Sequence, residues 1–479
     1  MKKFAFFIAV LCTGMSISAQ VGIGTENPDA SAILELDSDS QGMLTPRMTS
    51  AQRMGIASPA EGLMVYDTDE DLFYYYTTGT WTPLETGIKR DNYKLVKSIA
   101  DLADELVAGG GSNYLLSPNY VYEINGTIFV DYPININDAY VMGEDSVEDR
   151  LVNATGTALF TGNKGGSLRR FLIVGNGNDI FNITGSGTEN LFSLSVTYTN
   201  ASSVGTISNM NYIYFSTATY QDNFDGFEFT DISSLYMGMN LWATSNQGTF
   251  LTMSGSFDEV QIGNSRIQAD TGETGIDVSA NPTVNVSASL SQINFDGDGT
   301  LVNGYTTNTY PGYNFSKEWY VESQGIKRET DDNASANFYY NGSLTTGFTQ
   351  TITNGTAVEV QGSGSFSSNE LFRFSVSNGG NRLTYEGLKN REFLINSSLS
   401  VRVNFAAGDF YAFVIAKNGT VVTESNSVVY IQGDNQIQSV ALNANVNLDS
   451  GDYIEVYVQR LIGTGTDTLV VFSENLSIN

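Results

Sequence analysis

Four acidic side chains stand close together near the middle of the sequence and could support carboxylate chemistry. They are Asp222, Asp225, Glu228 and Asp231, all within ten residues. Glycoside hydrolysis needs two carboxyl groups, one acting as acid and the other as base or nucleophile. Their three-residue intervals do not keep to one face of a strand, because side chains on a strand alternate with period two. Catalysis at these residues is therefore the alternative prediction, and a chance cluster in a strongly acidic chain is the preferred one.

A second group of residues could recognise a ligand without reacting with it. Aromatic rings exposed on a rigid surface stack on the apolar CH faces of sugars and leave the sugar hydroxyls in water. The aromatic candidates lie in one short interval: Tyr212, Tyr214, Tyr236 and Trp242. About half of such rings would be expected inside a core, and the sequence does not assign their faces.

The amino-acid composition argues against most other kinds of catalytic or metal-binding site. The 479 residues contain no histidine and a single cysteine, Cys12, and the net charge is −29. Serine or cysteine hydrolase triads and zinc sites with His or Cys ligands are therefore not expected, and no cofactor is predicted. Without a basic surface, nucleic acid is not expected as a partner. The run Asp67–Asp71 begins like a calcium loop but has Leu72 and Thr78 where the loop needs Gly and Glu, which leaves only weak calcium binding open.

The first nineteen residues have the pattern of a secretory signal peptide. Lys2 and Lys3 precede an apolar run from Phe4 to Met15, and small residues follow up to Ala19. This run is too short to span a membrane. Residues 1–19 therefore predict export to the cell exterior.

The elements that must position the candidate residues are short strands. Apolar pairs alternate along residues 112–325, as in Phe227 with Phe229 and Ile276 with Val278, and Gly or Asn punctuation separates them. No helical period intervenes, so stacked coils of parallel strands would bury these pairs best. We predict an all-β protein built on a right-handed parallel β-helix of about eight coils, each of roughly 20 to 25 residues.

Two segments flank the predicted β-helix. Residues 89–111 include Leu95, Ile99, Leu102 and Leu106 at helical spacing, with Gly109 ending the run. A short helix capping the open end of the β-helix is the preferred interpretation, and a short trimeric coiled coil is the other. Residues 326–347 are predicted to be a linker.

Residues 20–88 resemble a known N-terminal module. The matching residues are Val21-Gly22-Ile23-Gly24-Thr25, Pro46-Arg47-Met48-Thr49, Gly62-Leu63-Met64-Val65-Tyr66 and the aromatic run that closes on Trp81. This pattern is similar to modules of secreted proteins from Bacteroidetes-type bacteria and of tail-fibre-like proteins. The resemblance implies a structural base or adaptor.

Residues 348–479 resemble the C1q and tumour-necrosis-factor-like jelly rolls that end some fibres. The matching pieces are Arg382-Leu383-Thr384-Tyr385, the run from Phe413 through Lys417-Asn418-Gly419-Thr420, and Leu448 through Ile454. Asn418-Gly419 is also a strong hairpin signal in its own right. The resemblance implies a ten-stranded antiparallel sandwich that trimerises and serves as a binding head.

These observations predict an extracellular, homotrimeric, fibre-like attachment protein that binds a surface glycan or receptor protein without catalysis. The alternatives are a polysaccharide depolymerase acting on the β-helix face and a structural protein of a phage tail spike or fibre. The predicted location is secreted or on the bacterial surface, with the virion as the alternative.

Overall fold

The structure is a computed structural model that describes residues 20–84, 90–404, 408–433 and 435–479. The predicted signal peptide lies outside these residues. The chain divides into two compact units, Met1–Arg90 and Asp91–Asn479. Within the described residues, no helix is both long enough and apolar enough to span a membrane.

The first unit contains a parallel strand pair and a four-stranded sheet. Its elements are β1 Val21–Ile23, β2 Leu34–Leu36, β3 Arg47–Met48, α1 Ser50–Met54, β4 Met64–Asp67, β5 Leu72–Thr77 and β6 Thr80–Pro83. Strand β1 pairs with β2, and the sheet order is β3-β4-β5-β6. Thr49 caps α1. The α1 residue Arg53 is buried, and its guanidinium carbon Cζ lies 3.6 Å from the centre of the Tyr74 ring.

The second unit begins with a long parallel β-solenoid. Its elements, in chain order, are β7 Tyr93–Val96, a 3-10 helix Ile99–Leu102, α2 Ala103–Ala108, β8 Tyr114–Leu115, β9 Val121–Ile124, β10 Thr127–Val130, β11 Ile134–Asn135, β12 Tyr140–Gly143, β13 Arg150–Asn153, β14 Phe160–Gly162, β15 Gly166–Arg169, β16 Leu172–Val174, β17 Phe181–Thr184, β18 Asn190–Leu194, β19 Thr197–Thr199, β20 Gly205–Ser216, β21 Thr219–Gln221, β22 Phe227–Gly238, β23 Leu241–Trp242, β24 Thr249–Gly263, β25 Arg266–Gln268, β26 Thr274–Asp277, β27 Thr283–Asp296, β28 Thr300–Asn303 and β29 Trp319–Gln324.

Parallel pairing between successive coils arranges these strands in three faces. Face 1 carries β8, β11, β14, β17, the first halves of β20, β22 and β24, then β26 and β28. Face 2 carries β7, β9, β12, β15, β18, the second halves of β20, β22 and β24, the middle of β27, and β29. Face 3 carries β10, β13, β16, β19, β21, β23, β25 and the end of β27.

The predicted solenoid is confirmed, with about nine coils instead of eight. Coil length varies more than expected. Val141 lies 19 residues after its partner Tyr122, whereas Val321 lies 31 residues after its partner Leu290. The corner loops differ in length and account for this variation, because only the strand residues must stay in register between coils.

The alternating apolar residues point inward and stack from coil to coil. One continuous core runs from Val96 to Val321. The Phe160 and Phe181 rings stack at 5.4 Å, and the Tyr198 and Tyr220 rings stack at 5.2 Å. Burying such rings supplies the main favourable free energy of folding for each coil.

The capping helix is shorter than the apolar spacing predicts. Leu95 lies in β7, which pairs in parallel with β9, so the backbone of residues 93–96 already belongs to the first coil. Only the 3-10 helix and α2 form the cap. Leu102 enters the core, while Ile99 and Leu106 pack against it, so the segment covers the first coil as predicted.

An antiparallel sandwich follows the solenoid. Its elements are a 3-10 helix Asp331–Asn333, β30 Ser335–Tyr340, β31 Phe348–Thr353, β32 Ala357–Glu359, β33 Phe366–Phe372, β34 Phe374–Ser377, a 3-10 helix Asn378–Gly380, β35 Arg382–Tyr385, β36 Arg391–Asn404, β37 Asp409–Lys417, β38 Thr420–Ile431, β39 Gln438–Leu448, β40 Tyr453–Arg460 and β41 Thr466–Ile478. The two sheets have the orders β33-β30-β41-β36-β39, with β31 beside β41, and β34-β35-β40-β37-β38, with β32 beside β40.

The sandwich begins earlier and has more strands than predicted. Residues 335–340 were expected in a linker, but Ala336 and Phe338 are buried and β30 pairs with β41. Within the described residues the sandwich has twelve strands, whereas the family resemblance implied ten. The Asn418-Gly419 hairpin is present between β37 and β38, and both turn residues have positive φ angles, as a type I′ turn requires.

Buried asparagines bridge the coils at the corner between faces 3 and 1. The Asn223 side chain accepts a hydrogen bond from the Ala201 amide at 3.1 Å and donates one to the Tyr198 carbonyl at 3.1 Å. Asn246, one coil later, accepts from the Asn223 amide at 3.1 Å and donates to the Tyr220 carbonyl at 2.7 Å. These side chains satisfy buried backbone groups that the strand ladders leave free.

Replacing Asn223 should therefore weaken the solenoid. Asn223→Ala leaves the Ala201 amide and the Tyr198 carbonyl buried without this partner, and we expect the free energy of unfolding to fall by about 2 kcal/mol. Urea denaturation followed by circular dichroism measures the change. Asn125→Ala at an exposed turn is the matched control and should have little effect. Equal stability of the two variants would contradict the proposed role of the buried asparagine.

Candidate functional site on face 2 of the solenoid

The four predicted acidic candidates do not form one cluster. Asp222 and Asp225 lie at the corner before β22, Glu228 points outward from face 1, and Asp231 lies at the next corner. Asp231 follows Asp225 across a stretch of strand, which corresponds to roughly 20 Å along an extended chain. A glycosidase pair requires carboxyl groups about 5 to 9.5 Å apart. The full set therefore cannot act as one catalytic centre.

Two of these carboxylates bind backbone amides of the following coil. Asp225 accepts from the Thr249 amide at 2.8 Å, and Asp231 accepts from the Ser256 amide at 2.9 Å. Asp222 and Asp231 adopt positive φ angles, which Asp tolerates better than most residues. The geometry supports turn-stabilising roles for Asp225 and Asp231. Glu228 is exposed, with Thr206 as its side-chain neighbour at 3.5 Å.

The aromatic candidates give a different result. Tyr212, Tyr214 and Tyr236 lie on the outer side of face 2, each half-buried, and Phe192 joins them from the preceding coil. We call these four residues the aromatic surface. The Tyr212 ring lies 5.6 Å from Phe192, 6.4 Å from Tyr214 and 5.3 Å from Tyr236. Tyr212 is thus the centre of a patch that spans three coils.

Strand alternation explains why these rings face outward. Ile213 and Phe215 occupy the intervening positions on β20 and are fully buried. The pairing register places Phe192 beside Tyr214 and Tyr214 beside Tyr236. Parallel strands lie about 4.8 Å apart, so rings at equivalent positions on successive coils form a continuous surface.

Polar groups border the aromatic surface. The Tyr236 hydroxyl donates to Glu259 at 2.9 Å, and Glu259 itself is half-buried on the next coil. On the opposite side, Asn211 donates to the exposed Asn190 at 2.9 Å. The hydrogen bond to Glu259, followed by burial, raises the pKa of Tyr236, and burial raises the pKa of Tyr212. Apolar rings with adjacent carboxylate and amide groups are suited to binding a sugar.

The structure corrects one aromatic prediction and adds one residue. Trp242 is 1% exposed and packs inward against Tyr220 and Phe250, so it belongs to the core and not to a ligand surface. Its position follows from β23, where Leu241 takes the outward place. Phe192 was not predicted, because its alignment with Tyr214 depends on the length of the coil between them, which the sequence pattern does not show.

The acidic run Asp67–Asp71, which only begins like a calcium loop, is bound by protein groups. The Asp67 carboxylate is buried and accepts hydrogen bonds from Arg53 Nε at 2.7 Å, from the Ser50 hydroxyl at 2.9 Å and from the Asp69 amide at 2.9 Å. Burial by itself raises the pKa of Asp67, but these hydrogen bonds outweigh it and hold the pKa at about 2. Across the described part of the chain, no three Asp, Glu, His or Cys side chains converge as a metal site would require. The expectation of no cofactor stays a prediction, and weak calcium binding stays the open alternative.

Comparisons with known proteins give one family match. Residues 22–98 match the family described as "Phage tail like trimerisation region". No curated protein matches this sequence.

Three solved structures are similar to parts or most of the chain. The enzymatically active domain of tailspike protein 4 from bacteriophage CBA120 is 12% identical, with 91% of this chain and 77% of that chain covered and a TM-score of 0.26. The tailspike of Acinetobacter baumannii phage AM24 is 10% identical, with 88% and 91% covered and a TM-score of 0.24. The Eiger TNF of S. frugiperda is 13% identical, with 30% and 91% covered and a TM-score of 0.21. Scores this low support no conclusion about this chain.

The environment of Tyr236 gives a testable titration. Ionising Tyr236 beside the Glu259 carboxylate places two negative charges together, so the phenol should titrate above its ordinary range. Glu259→Gln removes that charge, and we expect the Tyr236 pKa to fall. NMR of ring-labelled tyrosine during alkaline titration, with Tyr236→Phe to assign the signal, measures it. An unchanged pKa in Glu259→Gln would show that the contact is absent in solution.

Proposed function

We propose that this protein is a homotrimeric, fibre- or spike-like attachment protein of a phage tail-like assembly, and that its solenoid binds a surface glycan without cleaving it. The observation that carries the proposal is the aromatic surface, a set of four outward rings on consecutive coils of one sheet face. The virion or a tail-like particle is the proposed location, in preference to the secreted location expected from residues 1–19.

Glycan recognition is supported by the chemistry of the aromatic surface. Sugar rings present apolar CH faces that stack on aromatic rings, while their hydroxyls need polar partners. Tyr212 and Tyr214 have nearly parallel rings, with an angle of 6° between their planes. Glu259 and Asn190 supply an acceptor and an amide at the border of the patch. Several sugar units of one chain could contact the patch together.

A rigid background makes such a surface effective. Ile213, Phe215 and Leu235 lie beneath it in the solenoid core and are fully buried. Because the rings are already held in place, little conformational entropy is lost when a ligand binds. The strand positions rather than mobile loops therefore define the proposed binding surface.

Trimer formation is supported by the family match at residues 22–98, whose described role is trimerisation. Three copies of one aromatic surface on a single particle would bind a repetitive glycan together. Avidity then exceeds the affinity of one site by roughly 10²-fold or more when the spacing permits. The terminal sandwich is proposed to act as a further binding head.

Polysaccharide cleavage is the alternative function. It is less well supported because Asp225 and Asp231 bind backbone amides, and because the four predicted carboxylates are spread over two corners and one strand. Asp225 with Glu228 remains the pair to test. A binding protein and a depolymerase would contact the same polymer, so the experiment must follow product as well as affinity.

Glycan binding can be measured with a bacterial glycan array followed by calorimetry on the best polysaccharide. We expect Tyr212→Ala and Tyr214→Ala each to weaken binding by about tenfold, because each removes a stacking ring while leaving the core unchanged. Phe129→Ala is a matched control, since Phe129 is an exposed ring on face 3.

The same samples decide between binding and cleavage. Reducing ends and polymer length should not change during incubation with the wild-type protein. Release of reducing ends that Asp225→Asn or Glu228→Gln abolishes would replace the binding proposal with the depolymerase. If Tyr212→Ala and Tyr214→Ala both bind the glycan as tightly as the wild-type protein, the aromatic surface is not the binding site.

The trimer has its own test. Light scattering of the purified protein should give three times the mass of the chain, which is 51.9 kDa. Deleting residues 20–84 removes most of the matched region but leaves the β7 strand in the first coil, and it should lower the mass toward that of a monomer. A full-length protein that runs as a monomer would refute the trimer.

A further inference from the structure

The joint between the last coil and the sandwich contains a cleft with cationic walls. It has a volume of about 210 Å³, and its charged and aromatic residues include Lys317, Glu318, Tyr320, Asp331, Arg373 and Lys389. We call this the joint cleft. Lys317 and Tyr320 come from the end of the solenoid, while Arg373 and Lys389 come from the sandwich. The cleft therefore exists only because the two parts meet.

Arg373 is the central observation. Its side chain is 2% exposed, although arginine is almost never fully buried without partners. One guanidinium nitrogen, Nη2, donates to the Trp319 carbonyl at 2.7 Å, and Nε lies 3.1 Å from Asp331. The other terminal nitrogen, Nη1, is buried and has no hydrogen-bond partner among the described residues. A buried cationic donor without a partner is costly, and an anion in the cleft would satisfy it.

Asp331 offsets one of the positive charges of the cleft, and neighbouring groups hold its carboxylate in place. Its Oδ2 accepts from the Leu388 amide at 2.7 Å and from the Lys389 amide at 2.9 Å, while Oδ1 faces Arg373. These bonds fix the backbone that carries Lys389, whose Nζ lies 5.6 Å from the centre of the Tyr320 ring. Asp331 thus positions two of the three cations.

The charge balance of the cleft is opposite to that of the chain. The whole sequence has 52 acidic and 23 basic residues. The lining of the cleft has three cations, Lys317, Arg373 and Lys389, against two carboxylates, Glu318 and Asp331, an excess of one positive charge. A local excess of positive charge on an acidic protein attracts an anionic ligand specifically to this place.

A larger cavity adjoins the joint cleft. It has a volume of about 420 Å³, shares Lys317 and Glu318 with the cleft, and is lined mainly by polar groups that include Asn308, Thr309 and Glu386. The Tyr310 hydroxyl donates to Glu386 at 2.9 Å and so connects solenoid and sandwich on this side. A cavity of this size and polarity is large enough for a sugar ring.

We propose that the joint cleft binds the anionic group of an acidic saccharide, with the carboxylate against Arg373, Lys317 and Lys389 and the sugar ring in the adjoining cavity. This inference rests on the proposed glycan-binding function and specifies its ligand class. Guanidinium and carboxylate groups match in shape as well as in charge, so a carboxylate is the expected anion. A sugar phosphate would present the same charge and is the second arm of the test.

The test uses monosaccharides and the complete chain. Ligand-observed NMR would compare N-acetylneuraminic acid, glucuronic acid, glucose 6-phosphate and neutral glucose, each added to the same protein sample. We expect saturable binding of one or both carboxylate sugars that is much tighter than any binding of glucose. Binding should weaken as salt is added, since charge attraction supplies part of the affinity.

Matched variants locate the site. Lys389→Gln and Lys317→Gln change exposed side chains and should each weaken acidic-sugar binding at least fivefold, whereas Lys97→Gln, an exposed lysine at the first coil, should not change it. Tyr214→Ala is measured beside them to report on the aromatic surface, which lies on earlier coils. A loss in Tyr214→Ala with no loss in the lysine variants would assign the acidic sugar to the aromatic surface and overturn this proposal alone.

The remaining outcomes are equally decisive. Binding of glucose 6-phosphate without either carboxylate sugar would overturn the assignment of a carboxylate. Equal binding of glucose and glucuronic acid, or an equal effect of Lys97→Gln and Lys389→Gln, would overturn the anionic site. Acidic-sugar binding that depends on Lys317 and Lys389 supports it even if the aromatic surface fails on the glycan array.

Discussion

Stacking of inward side chains between successive coils is the interaction on which the whole solenoid depends. Each coil buries its apolar residues against those of the coils before and after it, as the Phe160–Phe181 and Tyr198–Tyr220 pairs show. A single coil has too small a core to be stable, so stability arises between neighbours. This constraint fixes the inward positions and the register. It leaves the outward positions free for function, and the aromatic surface occupies three consecutive coils of that free set.

For the same reason, exposing the apolar core at either end of the solenoid to water would cost free energy. Each end is covered by a different part of the chain. At the start, the short helix places Leu102 over the first coil. At the finish, Trp319 and Phe315 close the core, and the sandwich packs beyond them. The Phe372 ring of the sandwich stacks on Tyr313 at 3.9 Å, and Arg373 reaches the Trp319 carbonyl. The joint cleft is a by-product of that closure, because covering the last coil brings sandwich cations beside solenoid residues.

Much of the fold could be predicted because strand alternation is a local property. Three consecutive residues are enough to predict that Phe227 and Phe229, or Ile276 and Val278, point inward. Two residues, Asn418-Gly419, are enough to predict their hairpin. Coil length could not be predicted, since corner loops vary without changing the pattern. For that reason Phe192 was missed, whereas Trp242 was placed on the surface because the outward position of its neighbour Leu241 was not recognised. The acidic candidates do not form one cluster because they are spread over two corners and one strand, and the backbone amides that they bind, such as that of Thr249, lie a full coil away in sequence.

The stacked-coil rod is the central claim, and a distance along it tests that claim most directly. Glu123 and Glu322 occupy equivalent outward positions on face 2, separated by eight successive strand pairings. Spin labels at cysteines introduced there, diluted with unlabelled chain, should give a narrow distance distribution near roughly 38 Å, since each pairing adds about 4.8 Å. A single flat sheet with its strands side by side in chain order would separate the labels by roughly 100 Å. A distance of that order, or a broad distribution, would contradict the solenoid and remove the support for both proposed binding sites.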